Sequence, residues 1–339
     1  MKNRLLYIDA LRGFAILCVC VLHYCGFCLN LNYTTNIQSF LGAFFLPLFY
    51  FISGYVGYQE DLCLNNCIPF LYKKIRTLLI PTIIFFLLGS SFFGWKISVW
   101  LNNEVKAGYW FAYELFVLFF FYIIIKICTY RIKNQFLNLI LSFFLFFVVY
   151  FICYTCRKSV VGHFFSINMS VYGGLTCFFC GILAGRYRNV FEAWQTNKFY
   201  LYFLVIFVFI EWNIYQTHWV LRQIVPTLLI FALFYNKHVF FEKQSFVNTI
   251  LPILGKNSLA IYFLHYYLLF NAPECVNRYL NSFHGMPCFA GEGSTSFALM
   301  IIAIPMSLGI CMLCIAIKRI IAFIPSANIL LFGETEHKE

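Results

Sequence analysis

The sequence predicts an all-α fold: a polytopic transmembrane helix bundle of about ten spans, with both termini in the cytoplasm. Three observations predict it. Of 339 residues, 62% are hydrophobic and only 11% charged, and mean hydropathy is +0.80; water-soluble domains carry about 25% charged residues. Continuous apolar runs recur from end to end, each near the roughly 20 residues that a helix needs to cross a bilayer. They do not alternate every second residue, which argues against an outer-membrane barrel. Finally, the 24 Lys and Arg residues fall 18 on one side of this map and 6 on the other, and the richer side is normally cytoplasmic.

The first span, Leu11–Leu29, follows Lys2 and Arg4, as a secretory signal would. The run outlasts a signal core of about 7–15 residues and ends in Cys28-Leu29-Asn30-Leu31-Asn32 without a small-residue cleavage pattern, so it is expected to be retained. The next four spans are Phe40–Tyr58, Leu78–Trp95, Trp110–Ile127 and Phe136–Tyr154. The second half gives Ser170–Gly185, Phe199–Tyr215, Val220–Tyr235, Leu251–Phe270 and Phe297–Ile317, the sixth being short. The seventh and eighth form a tight hairpin around Thr217–Trp219.

Basic residues are spread over every inner connection, so the formal charge of +11 is no nucleic-acid footprint. The expected organisation is a membrane-embedded domain over 1–325 and a short cytoplasmic tail over 326–339. No soluble domain is expected, since the longest polar stretch, Asn271–Ser296, is too short for a core. Four C-x-x-C pairs lie within or at the ends of apolar spans, where cysteine acts as a small hydrophobe, and no metal site is expected. Cys275 and Cys288, in the last outer loop, are the one plausible disulfide pair.

Few ionisable residues lie in the spans, and at that depth each one is a candidate site. Arg12 and His23 are eleven positions apart. Eleven helical steps turn about 1100°, close to three full rotations, and rise about 16 Å. Both side chains therefore share one stripe, Arg12 at the membrane surface and His23 near the midplane, with Asp9 beneath them. The plainer readings are a snorkelling anchor for Arg12 and a helix cap or counter-charge for Asp9. Lys73-Lys74-Ile75-Arg76 is either topology signal or phosphate grip. Glu114, just inside the fourth span after Trp110, needs a partner; an ion pair and a role with the acceptor are both open. Glu211 and His265 read first as structural.

These residues resemble the integral-membrane acyltransferase family 3. Ile8-Asp9-Ala10-Leu11-Arg12-Gly13 followed by His23 is similar to that family's opening Arg-ten-residues-His arrangement. Phe49-Tyr50-Phe51-Ile52-Ser53-Gly54-Tyr55 resembles the end of its second helix, and Lys73-Lys74-Ile75-Arg76 with Pro81 its third-helix opening. Tyr109-Trp110-Phe111 with Glu114-Leu115 resembles its fourth-helix motif. Gly255-Lys256-Asn257-Ser258-Leu259 with Tyr262 and His265 resembles its late helix. Some relatives carry a further C-terminal esterase-like domain, which is not expected here.

The resemblance implies an O-acyltransferase of the cytoplasmic (inner) membrane, acting on a cell-envelope or exported saccharide. Acetyl-CoA is the expected donor, and no permanently bound cofactor is expected. Arg12, Lys73 and Arg76 are the cofactor-binding candidates; His23, Asp9 and Glu114 are the catalytic ones; Trp110, Glu114 and His265 are the acceptor-binding ones. His23 serves as general base or as transient acyl carrier. The expected partners are acyl-CoA, the saccharide acceptor and membrane lipids, without nucleic acid. The rival class is a transporter or flippase for a lipid-linked saccharide, disfavoured by the lack of an internal repeat.

Overall fold

The computed structural model describes residues 5–28, 36–103, 105–167, 173–213, 218–236, 246–269 and 292–334. Among them the regular elements are all helical. In chain order they are α1 Leu6–His23, α2 Asn36–Gly57, α3 Leu64–Lys74, α4 Ile80–Phe93, α5 Ile97–Asn102, α6 Trp110–Thr129, α7 Gln135–Cys156 and α8 Val160–Phe164. There follow α9 Leu175–Arg186, α10 Arg188–Gln195, α11 Lys198–Asn213, α12 Trp219–Asn236, α13 Phe246–Lys256, α14 Ser258–Leu264, α15 Glu292–Ala322 and α16 Pro325–Phe332.

Among the described residues, six helical stretches are long and apolar enough to cross a membrane: Leu6–Cys28, Leu64–Phe93, Trp110–Thr129, Gln135–Cys156, Trp219–Asn236 and Ala303–Ala322. The pair Arg188–Gln195 and Lys198–Glu211, bent by 74°, makes a seventh if it is one broken span. Leu41–Gly57 and Leu175–Arg186 are shorter apolar helices. The candidate disulfide Cys275–Cys288, most of the Asn271–Ser296 loop and part of the Thr217–Trp219 hairpin lie outside the described residues.

The chain forms two compact units. The first comprises residues 1–49 and 189–320. Its spine is α1 laid along α13. Glycines permit that approach: a Cβ on Gly13 would run into the Leu251 carbonyl, and one on Gly255 into the Asp9 carbonyl. Small residues serve this purpose in lipid, where helices associate by close packing because the solvent is as apolar as the side chains. From α12, Phe231 and Tyr235 meet the Tyr7 ring edge-on at 6.1 and 5.4 Å. At the other end of the α11–α12 pair, buried Glu211 accepts from Arg222 Nε at 3.2 Å, the structural role expected of it.

The expected ninth span, Leu251–Phe270, is instead two helices and a 3-10 turn, His265–Leu268. Asn257 causes the break. Its amide donates to the Ile253 carbonyl at 2.9 Å, competing with the helical ladder. Lys318 of α15 then donates to the Asn257 side-chain oxygen at 3.0 Å.

The second unit comprises residues 50–188 and 321–339. Here α3, a π-helical turn Ile75–Leu79 and α4 run continuously from Leu64 to Phe93. The basic cluster therefore lies inside a helix and not in a loop ahead of Leu78. Hydropathy drops at Lys73–Arg76, but backbone hydrogen bonding does not follow polarity. Lys74 lies 3.5 Å above the Phe119 ring of α6, which accommodates its charge against an apolar neighbour. The end of α2 meets α9 through glycines, since a Cβ on Gly54 would strike the Phe178 carbonyl and one on Gly181 the Phe51 carbonyl. The segment expected as a tail begins with α16, whose buried Phe332 packs on Phe85 at 6.1 Å. Gly333, at φ +67°, ends it with a left-handed cap.

Candidate active site

Because α1 is unbroken from Leu6 to His23, Asp9, Arg12 and His23 do share one stripe. Along the apolar stretch Leu6–Cys28, Arg12 stands six residues from one end and His23 five from the other. The two groups thus lie about equally far from the centre of this helical stretch. Asp9 is buried, and Arg12 is half-buried.

His265 meets His23 within the first unit. His23 Nδ1 and His265 Nε2 are 2.8 Å apart, and the rings are nearly parallel, 9° between planes with centroids 5.1 Å apart. The other nitrogen of His265, Nδ1, lies 3.0 Å from the Ile261 carbonyl and 2.7 Å from that of Tyr262. Carbonyl oxygens only accept, so Nδ1 of His265 carries a proton. In the neutral ring Nε2 is then an acceptor, and the 2.8 Å contact requires His23 to donate from its own Nδ1. His23 is left with its lone pair on Nε2.

Local backbone geometry produces this arrangement. The 3-10 turn that begins at His265 draws its ring toward the carbonyls three and four residues back. A π-helical turn, Tyr24–Cys28, directly follows His23. Phe27 and Tyr266 pack beside the His23 ring at 5.8 and 5.1 Å. His265 is fully buried, whereas His23 retains some exposure.

The remaining candidates belong to the second unit. Glu114, fully buried on α6, accepts a short hydrogen bond from the Tyr50 hydroxyl of α2. Phe111 packs on the Tyr50 ring at 4.8 Å. Gly174 leaves room for this pair, since a Cβ there would collide with Glu114 Oε1. Trp110, half-buried, opens α6 with its ring edge toward Phe111 at 6.3 Å. Lys73 is exposed. Arg76 sits in the π-helical turn, and its buried Nε has no hydrogen-bond partner among the described residues. No group of three or more His, Cys, Asp or Glu suited to a metal occurs among the described residues.

Set beside known families, residues 5–316 match the acyltransferase family 3 profile described as "Acyltransferase domain". The chain belongs to that family. Comparison with curated proteins and with solved structures gives no match. It is a membrane acyltransferase.

In this acyltransferase the motifs meet in pairs. The first-helix and late motifs join through His23–His265 and through Asp9–Gly255. The second- and fourth-helix motifs join through Tyr50–Glu114. Two residues escape a reading by sequence. Tyr50 stands in a matched motif but shows its role only through its bond to Glu114. Lys106, which falls between the expected third and fourth spans, is fully buried. It donates to the carbonyls of Trp100 at 2.5 Å and His163 at 3.1 Å, with the Trp100, Tyr113 and Phe164 rings each 5.6 Å from its ammonium. Its φ of +48° and that of Gly108 at +95° mark the tight turn before α6, the one local signal that Lys-Ala-Gly offers.

Proposed function

We propose that the protein is a ten-span O-acyltransferase of the inner membrane, with cytoplasmic termini. It moves an acetyl group from cytoplasmic acetyl-CoA to a hydroxyl of a cell-envelope or exported saccharide. The observation that carries this reading is the oriented histidine pair. With Nδ1–H held by His265, His23 presents Nε2 as a base. The acceptor oxygen attacks the thioester carbonyl while its proton passes to His23 Nε2. The tetrahedral intermediate collapses, the carbon–sulfur bond breaks, and the departing sulfur takes the proton back from Nε2. The products are an O-acetyl ester and free coenzyme A thiol, and His23 returns neutral.

His265 positions the base and does not exchange protons with substrate. Arg12, Lys73 and Arg76 are assigned to the donor's phosphates, which suit guanidinium and ammonium groups. Trp110 and Glu114 are assigned to the sugar, one offering an apolar ring face and the other an acceptor for hydroxyls. Asp9 is assigned to the catalytic group beside His23 on the α1 stripe, and its backbone carbonyl lies against Gly255 of α13.

The test is mass spectrometry of envelope saccharides from cells with the protein, without it, and with His23→Ala. Acetyl groups present only with the wild-type protein are expected. An unchanged acetylation pattern in cells lacking the protein would exclude the proposed acceptor class.

A further inference from the structure

Within the second unit a cleft opens between α6, α7 and α9, with neither Glu114 nor Lys73–Arg76 in its lining. Its empty space, counted together with its open mouth, is about 590 Å³. Its walls are almost wholly apolar, among them Phe121, Phe146, Val149 and Ile182. Two cations, Lys126 and Arg186, stand in its lining, each in the last turn of its helix.

Neither cation is ion-paired among the described residues. Lys126 donates to the Glu60 carbonyl at 3.1 Å and lies over the Tyr58 ring at 5.3 Å. Arg186 donates to the Asn138 side-chain oxygen at 3.0 Å and to the Gln135 carbonyl at 3.5 Å. All three bonds go to neutral acceptors, and both groups keep donors to spare. The exposed carboxylates of Glu60 and Asp61 lie within electrostatic range of Lys126 but do not close an ion pair with it.

Apolar walls with two under-neutralised cations in one slot form an amphiphilic template. The outer faces of the flanking helices are made for lipid: Phe144, Phe147 and Phe151 of α7 are exposed large hydrophobics. We infer that this cleft seats an anionic phospholipid, with an acyl chain against the α7 and α9 side chains and the headgroup phosphate between Lys126 and Arg186. Basic pockets between membrane helices bind acidic headgroups in this way, each Lys or Arg near the surface adding roughly a fivefold preference. Under the proposed topology both cations face the cytoplasm, the leaflet surface that carries anionic lipid. Binding in detergent does not depend on that orientation, nor on the proposed reaction.

The experiment is native mass spectrometry of the purified full-length protein in detergent, titrated with phosphatidylglycerol or with phosphatidylcholine of identical chains. The wild-type protein should retain phosphatidylglycerol about 25-fold more tightly. K126Q/R186Q should abolish that preference, and the charge-conserving K126R/R186K should preserve most of it. I182W, which fills the slot between the chains, should lose both lipids while K126R/R186K still binds. Equal retention of the two lipids by the wild-type protein would overturn the inference, and this comparison needs no variant to fold. So would an unchanged preference in K126Q/R186Q. Displacement of bound phosphatidylglycerol by equimolar palmitoyl-CoA would make the cleft a donor site and would equally overturn it.

Discussion

A neutral imidazole that accepts a hydrogen bond can do for His23 what a buried carboxylate does for the histidine of a hydrolase triad. It fixes tautomer and ring orientation, and it brings no negative charge into the apolar interior. Glutamine can accept from His23 Nδ1 through its own amide oxygen, and leucine cannot. His265→Gln should therefore keep a substantial part of kcat, whereas His265→Leu should lose about 10²-fold or more with KM for acetyl-CoA little changed. Steady-state kinetics of the two purified variants checks this, and equal losses would reduce His265 to packing. Arg76→Ala and Lys73→Ala should each weaken acetyl-CoA binding about 10- to 150-fold, the worth of a lost charged phosphate contact. Calorimetric titration measures that, and unchanged affinity in both would leave the cluster a topology signal. His23 and Arg12 were legible in the sequence because one helix sets their spacing. The partner of His23 was not, since His265 is 242 positions away and no local pattern encodes that meeting. Tyr50 and Glu114 met unforeseen for the same reason, 64 positions apart.

At the scale of elements, glycine is what lets α1 approach α13. Gly255→Ala puts a methyl against the Asp9 carbonyl of the facing helix, so the helices must separate. Overpacking of this kind costs about 1–3 kcal/mol. The thermal midpoint in detergent should fall by several degrees, and activity should fall with it because His23 rides on α1. An unchanged midpoint would mean that the approach is looser than the backbone positions indicate. Apolar runs made the helices themselves legible, and each expected span has a helical counterpart among the described residues. Boundaries and breaks were less legible. Hydropathy placed a loop at Lys73–Arg76 where the helix continues, because cations can lie over aromatic rings inside a helix. It also ran through Asn257, where a single side-chain bond to Ile253 diverts the backbone.

For the whole molecule, the 18-to-6 distribution of Lys and Arg sets the proposed orientation and with it the side from which a cytoplasmic donor arrives. In a background without native cysteines, a cysteine at Lys338 should resist an impermeant thiol reagent in intact cells, and one at Ser282 should react. Labelling at Lys338 alone would invert the map and end the acetyl-CoA mechanism as proposed. Membrane residence was readable from composition, since 11% charge leaves too little polar surface for water, and all-helical character from apolar runs that do not alternate. The division into two compact units was not, because it depends on contacts between segments far apart in the chain. The central claim is that His23 is the base of an acyl transfer from coenzyme A. Its most direct test is transfer of radiolabelled acetyl from acetyl-CoA to envelope saccharide by the purified protein in liposomes, comparing wild type with His23→Ala. The account predicts label in the saccharide with the wild-type protein and none above background with His23→Ala at equal folded protein; wild-type rates from His23→Ala would contradict it.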